Sequence, residues 1–183
     1  MESAKNNIVY TIGHSTHSLE ELIQMLQAFA IKTLVDVRRF PGSRKYPQFN
    51  KDNLAAGLQA VGISYVHLEN LGGRRTAHKN SNNNRWRNKS FQGYADHMAT
   101  KEFEEGMSQL ETIAAKQPTA YMCSEALWWR CHRSMISDYL KARGWQVLHI
   151  MGPGKVEAHS YTSPARVEGE HVFYHDDTNP SNL

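Results

Sequence analysis

The chain has 183 residues, 40 % of them hydrophobic and 21 % charged, a globular mix long enough to bury a core without covalent staples. Its formal charge of +3 is too small to indicate a nucleic-acid partner by itself, and two cysteines make no disulfide framework. No apolar run approaches the ~20 residues a bilayer-spanning helix needs, and the polar start at residues 1–7 lacks a signal-peptide core, so the expectation is a cytoplasmic protein with reduced thiols and no membrane partner.

Residues 8–12 are a short β-branched run ending at Gly13 and are expected to form a buried strand. A loop from Gly13 to His17 follows. Ser18 and Glu21 then make a capping box, and Leu19, Leu22, Ile23, Leu26 and Phe29 fall on one helical face. The unit repeats. Residues 33–37 read as a second strand, Asn50 as the cap of a helix carrying Leu54, Leu58 and Val61, and Gly62 as its end. Residues 64–68 read as strand three. An Asn-rich stretch over about 74–90 has no apolar period and reads as a basic surface loop. One longer helix is expected over about 92–116, with Phe103, Met107, Leu110 and Ala114 at helical spacing. Residues 119–123 form strand four, and a helix from about Cys131 packs Met135, Ile136, Tyr139 and Leu140 until Gly144 stops it. Residues 146–150 form strand five. A further short strand is expected at 172–174, before a polar tail.

This alternation predicts one α/β domain over residues 1–183, a Rossmann-like three-layer sandwich with a five-stranded, mainly parallel sheet in the order 3-2-1-4-5. Right-handed crossovers bring the carboxyl ends of all strands to one edge, where open α/β sheets bind ligands.

That edge collects polar chemistry. Gly13, His14 and Ser15 either cradle an anion with backbone N–H groups and the Ser15 hydroxyl or form an ordinary turn. Asp36 and Arg38, two apart on a strand, are either a salt bridge orienting the next loop or a base and an anion clamp. The densest cluster is Cys123-x-Glu125 followed by Arg130, Cys131, His132 and Arg133. Glu125 can serve as general acid, base or nucleophile. Cys131, at a helix start whose dipole favours a thiolate, is either a nucleophile or a small buried hydrophobe, whereas Cys123 on its strand reads as the latter. Without a tight C-x-x-C spacing, neither a metal nor another cofactor is expected. Trp128 and Trp129 either stack on a flat ligand or belong to the core. Arg74, Arg75, Lys79, Arg85, Arg87 and Lys89 interleave with Trp86 and Phe91 and include no acid, a pattern suited to phosphate contact and base stacking or to a solvated loop. His159, Thr162 and Arg166 are candidates for a lid.

The strings Tyr10-Thr11-Ile12-Gly13-His14-Ser15, Asp36-Val37-Arg38 with Pro41 and Ser43, Leu71-Gly72-Gly73, and Cys123-x-Glu125 with Cys131-His132-Arg133-Ser134 together resemble the "domain of unknown function 488" family over nearly the whole chain. The resemblance implies the α/β fold and a site at the sheet edge.

The edge predicts a hydrolase-like enzyme acting at a glycosidic or phosphate-side bond of a phosphate-bearing, base-containing substrate, such as a nucleotide or modified or damaged nucleic acid. Its expected catalytic residues are Glu125, Asp36, His14 and His132. Ser15, Arg38, Gly72, Gly73, Arg74, Trp128, Trp129, Arg130, Cys131 and Arg133 are expected to hold the substrate. The alternative is a non-catalytic nucleic-acid-binding module that uses residues 74–89. On the enzyme reading, His14, Asp36, Arg38, Glu125, His132 and Arg133 line one pocket.

Overall fold

Short strands that supply core side chains pair side by side with helices above and below. In the computed structural model, which describes residues 7–176, five such strands run parallel: β1 (Ile8–Gly13), β2 (Thr33–Asp36), β3 (Ser64–His67), β4 (Thr119–Cys123) and β5 (Gln146–Gly152). The polar start at residues 1–6 and the end of the polar tail lie outside the described residues. A sixth strand, β6 (Lys155–Ala158), pairs antiparallel with β5. Helices α1 (Leu19–Gln27), α2 (Lys51–Gln59), α3 (Lys89–His97), α4 (Lys101–Lys116) and α5 (Arg133–Ala142) complete the sandwich. A small hairpin, β7 (Arg166–Glu168) with β8 (His171–Phe173), covers the strand expected at 172–174.

Side-chain alternation along β4 divides the core. Ala120 and Met122 join Leu22 and Leu26 of α1 and Leu54 and Leu58 of α2 on one face. Tyr121 joins Phe103 and Met107 of α4 and Met135 and Ile136 of α5 on the other. The result is the Rossmann-like α/β architecture. Among the described residues no helix is long and apolar enough to cross a membrane.

The strand order corrects the expectation. It is β3-β2-β4-β1-β5-β6, so β4 lies between β2 and β1 instead of outside β1. All five residues of β4 are buried, and a strand apolar on both faces gains most in the middle of a sheet. The expected helix over 92–116 is two helices. Thr100 ends the first by donating its hydroxyl to His97 O (2.6 Å) and caps the second by accepting from Phe103 N (3.2 Å). Asn50 stands at the start of α2 but does not cap it with its side chain; Oδ1 takes the Ser43 N–H at 2.6 Å and closes the loop after β2. The Ser18 cap of α1 is formed, with Oγ accepting from Glu21 N at 3.1 Å.

Register decides where the site lies. Gly13 is level with Cys123, and Asp36 with Met122, so β1, β4 and β2 end together. The loop leaving β4 crosses directly over the end of β1. A Cβ on Gly13 would meet Glu125 O at 1.7 Å, which leaves room for glycine alone. Gly13→Ala is therefore expected to lower unfolding stability by about 3 kcal/mol, since a backbone clash cannot be relieved by a rotamer change. Urea denaturation measures this, and an unchanged midpoint would contradict the crossing.

Candidate functional site

A cleft of about 690 Å³ opens at the carboxyl edge of the sheet. The loop after β1 supplies His14 and Ser15. The loop after β2 supplies Arg38, Arg39, Phe40, Ser43 and Tyr46, and the segment after β3 supplies Gly73 and Arg74. Cys123, Glu125, Arg130, Cys131 and His132 come from β4 and the turn into α5, and Phe91 from α3. Four of the six residues expected to share a pocket therefore do so: His14, Arg38, Glu125 and His132. Asp36 and Arg133 lie outside the cleft lining.

Asp36 is fully buried, and both its oxygens are occupied. Oδ1 accepts from Arg38 Nε (2.9 Å) and Arg38 N (3.1 Å); Oδ2 accepts from Arg38 Nη2 (2.7 Å) and the Tyr65 hydroxyl (2.6 Å). A carboxylate so saturated has no lone pair left for a substrate proton. Asp36, expected to be catalytic, is a positioning residue. Burial and the Asp36 charge hold the Tyr65 phenol far above its ordinary pKa, so it remains a donor.

The two-pronged pair fixes the guanidinium of Arg38. Nη2 also reaches Phe49 O at 2.7 Å, and Nη1 donates to His14 Nε2 at 3.3 Å. His14 Nδ1 donates to Ser15 O (2.9 Å), and the ring stacks on Phe49 at 4.3 Å. With one nitrogen donating and the other accepting, the imidazole is neutral; burial, helped by the Arg38 charge, pushes its pKa down to about 4. The expected anion cradle is not formed by these backbone groups. His14 N and Ser15 N instead donate to Cys123 O (3.0 Å) and Ser124 O (2.9 Å), stitching β1 to the loop after β4.

On the opposite wall, His132 Nε2 donates to Val37 O at 2.7 Å, and burial lowers that ring to about 4 as well. Gly73 lets the chain pass the His132 ring: a Cβ there would lie 2.7 Å from Nδ1. Gly72, expected to contact substrate, packs against Arg39, where a Cβ would meet Cα at 2.5 Å; it is a spacer outside the cleft lining. Arg133, also expected at the substrate, is 1 % exposed. Its Nη2 donates to Glu125 O (3.0 Å) and Ala126 O (3.3 Å), so it holds the loop that carries Glu125. The Glu125 side chain is exposed in the cleft wall.

The two thiols are hydrogen-bonded to each other. Burial raises Cys123, but the Cys131 hydrogen bond and the Arg133 charge outweigh it and bring Cys123 down to about 7. Burial and the neighbouring Cys123 push Cys131 well up. The Arg133 charge lowers both thiols, and the hydrogen bond between the sulfurs favours the charge on Cys123. Among the described residues no group of three or more His, Cys, Asp or Glu side chains is placed to hold a metal ion.

Neither tryptophan lines the cleft. Trp128 is buried and lies flat on His149 (4.4 Å, 4°); Trp129 is 46 % exposed. The aromatic surface in the cleft comes from Phe40, Tyr46 and Phe91, with Phe40 58 % exposed. Trp128 covers a buried polar chain that sequence reasoning missed. Thr11 Oγ1 bonds His149 Nδ1 (2.6 Å), His149 Nε2 bonds His159 Nδ1 (2.8 Å), and His159 Nε2 bonds Asp138 Oδ1 (2.8 Å). Thr162 and Tyr174 donate to the same carboxylate. His159 is therefore buried and Thr162 is tied to Asp138, so neither forms a lid; Arg166 lies over the Phe173 ring in the hairpin.

The basic segment is divided among several jobs. Arg74 faces the cleft. Arg75 donates to Gly72 O and pairs with Glu102. Arg85 donates to Pro164 O (2.7 Å) and pairs with Asp176, while Trp86 packs on Phe91 and Tyr174. Lys89 donates to Gln92 Oε1. Lys79 and Arg87 are exposed. Asp96 anchors the stretch through His78 N, Ser81 Oγ and Asn83 Nδ2.

The class that fold and site define is an α/β protein with a polar, arginine-rich cleft at the carboxyl edge of a mainly parallel sheet. Residues 18–140 match the family described as Domain of unknown function DUF488, most of the chain, and the protein belongs to that family. Comparison with curated proteins and with solved structures gives no match.

Two outcomes follow from this geometry. Asp36→Asn leaves Arg38 buried without its carboxylate and is expected to cost about 3–5 kcal/mol of stability in urea denaturation; a loss below ~1 kcal/mol would show that the pair is solvated. The second concerns pH. His14 titrates near 4 when folded and near 6.5 when unfolded, so below pH 6.5 the unfolded chain takes up a proton that the folded one refuses. The His14 contribution is level above that range and falls as pH drops from 6.5 toward 4, by about 3 kcal/mol. His132 acts in the same direction, and His149, held near 2, extends the fall to lower pH. His14→Gln should flatten this slope by one proton's share, and equal stability at both ends of the range would contradict the buried neutral rings.

Proposed function

We propose that the cleft binds a phosphate-bearing, base-containing ligand of the nucleotide type and that the protein is a hydrolase acting on it. The observation that carries this reading is the charge of the lining: Arg39, Arg74 and Arg130 stand against a single lining carboxylate, Glu125, beside an Arg38 already paired with Asp36. Arginine forks suit phosphate oxygens. The aromatic side chains of Phe40, Tyr46 and Phe91 in the lining suit a flat base, and the volume lies in the range of small-ligand sites. A nucleotide flipped out of a nucleic acid presents the same groups.

Glu125 is the acid–base residue on this reading. It is the carboxylate that faces the cleft, and Arg133 holds its main chain in place. The neutral rings of His14 and His132 serve as hydrogen-bonding walls, and Ser15 remains a donor to the ligand. The buried free thiols of Cys123 and Cys131 suit a reducing, cytoplasmic compartment.

Calorimetric titration with nucleoside monophosphates and short oligonucleotides, paired with product analysis, tests the reading. Glu125→Gln should retain binding and lose turnover by a factor of about 100 or more. Arg130→Ala should weaken binding about tenfold or more and flatten its salt dependence. Turnover that survives Glu125→Gln removes the catalytic assignment. Binding indifferent to Arg130 but lost on replacing Lys79 and Arg87 would favour a nucleic-acid-binding module instead.

A further inference from the structure

Cys123 and Cys131 are the two cysteines of the chain. Both are free and buried, both reach the cleft lining, and their sulfurs stand 2.7 Å apart. Cys123 ends β4 and Cys131 immediately precedes the turn into α5. The chain between them carries Ser124, Glu125, Leu127 and Arg130 of the cleft wall.

Behind the sulfurs lies Arg133. It is 1 % exposed, its Nη2 is held by the main-chain carbonyls of Glu125 and Ala126 and by no carboxylate, and its Nε has no hydrogen-bond partner. Its backbone N donates to Cys131 Sγ at 3.4 Å. A buried guanidinium without a countercharge is costly. The two sulfurs buried against it are the groups able to supply that charge: Cys131 Sγ accepts from the Arg133 main chain, and its hydrogen bond with Cys123 lowers the Cys123 pKa. An arginine-backed thiolate beside a second thiol is the arrangement of a reactive cysteine and its resolving partner.

We propose that Cys123 and Cys131 are a redox-active dithiol that reduces a small hydroperoxide, hydrogen peroxide being the simplest, and becomes an intramolecular disulfide. The Cys123 thiolate attacks one peroxide oxygen and the O–O bond breaks. The departing hydroxide takes a proton from solvent and leaves as water, and Cys123 becomes a sulfenic acid. Cys131 sulfur then attacks Cys123 Sγ and gives up its proton. The S–O bond breaks, and hydroxide leaves with that proton as a second water. Two electrons have passed from the dithiol to the peroxide, and a thiol reductant restores them.

The exposures select the co-reactant. Cys123 is 2 % and Cys131 7 % exposed, so an oxidant of two heavy atoms reaches them where a bulky disulfide does not. The disulfide needs a bond of about 2.05 Å, a short approach from the observed separation. Closing it encircles Glu125 and Arg130 and removes the negative charge facing Arg133, so the cleft wall responds to the redox state whatever ligand it takes.

The test reads the sulfurs directly. Reduced protein is treated with equimolar hydrogen peroxide near neutral pH, denatured, alkylated and weighed. The expected result is loss of both alkylatable thiols in a monomer two hydrogens lighter, reversed by dithiothreitol. Cys131→Ser is expected to stop at a sulfenic acid trapped by dimedone, and Cys123→Ser to keep its remaining thiol alkylatable. Two alkylated cysteines after treatment, a disulfide-linked dimer, or a Cys123→Ser protein that oxidises as fast as the wild type would each overturn the proposal. The wild-type measurement decides it even if a variant does not fold.

Discussion

Strand β4 is hydrogen-bonded on both sides, to β2 and to β1, and the rest of the site depends on that position. It makes the ends of β2, β4 and β1 neighbours, so the loops that follow them share one crevice. It also forces the chain leaving Cys123 across the end of β1, where Gly13 leaves room for Glu125 O and the amides of His14 and Ser15 bond the crossing loop. Glu125 and Arg130 are thereby carried over the sheet edge toward Arg38. Had β4 lain outside β1, β1 would have separated the Glu125 loop from the Arg38 loop.

Two arginines are buried near that edge by different means. Arg38 is matched by Asp36, itself completed by the Tyr65 hydroxyl from β3. Breaking such a pair costs about 3–5 kcal/mol, which is why it works as a fixed part. Its remaining nitrogen is directed at a neutral His14. Arg133 has main-chain carbonyls and thiols instead of a carboxylate. The first arrangement gives the cleft a rigid cationic wall. The second leaves reactive sulfur at the cleft lining and ties it to the loop bearing Glu125.

Much of this was legible in the sequence. Short runs of strand-forming residues located all five parallel strands, and Ser18 with Glu21 located the start of α1, because these signals are local. The break between α3 and α4 also had a local signal, Thr100 ahead of Glu102 and Phe103, masked by apolar spacing that continues across it. Strand order had none. Consecutive strands usually pair, but an insertion from later in the chain leaves no mark on either. The strand ends placed His14, Arg38, Glu125 and His132 in one crevice correctly, since parallel strands share an edge. Depth was not legible. Asp36 is sealed off by Tyr65, and Trp128 by His149, through contacts distant in sequence. The chain from Thr11 to Asp138 joins elements up to 138 residues apart and has no spacing motif.

The central claim is that a phosphate sits against the arginines of this cleft. A crystal structure of the protein grown with a nucleoside 5′-monophosphate tests it most directly. The account predicts phosphate oxygens within hydrogen-bond distance of Arg38, Arg74 or Arg130 and the base against Phe40, Tyr46 or Phe91. A nucleotide bound instead along Lys79 and Arg87, with the cleft holding solvent alone, would contradict it.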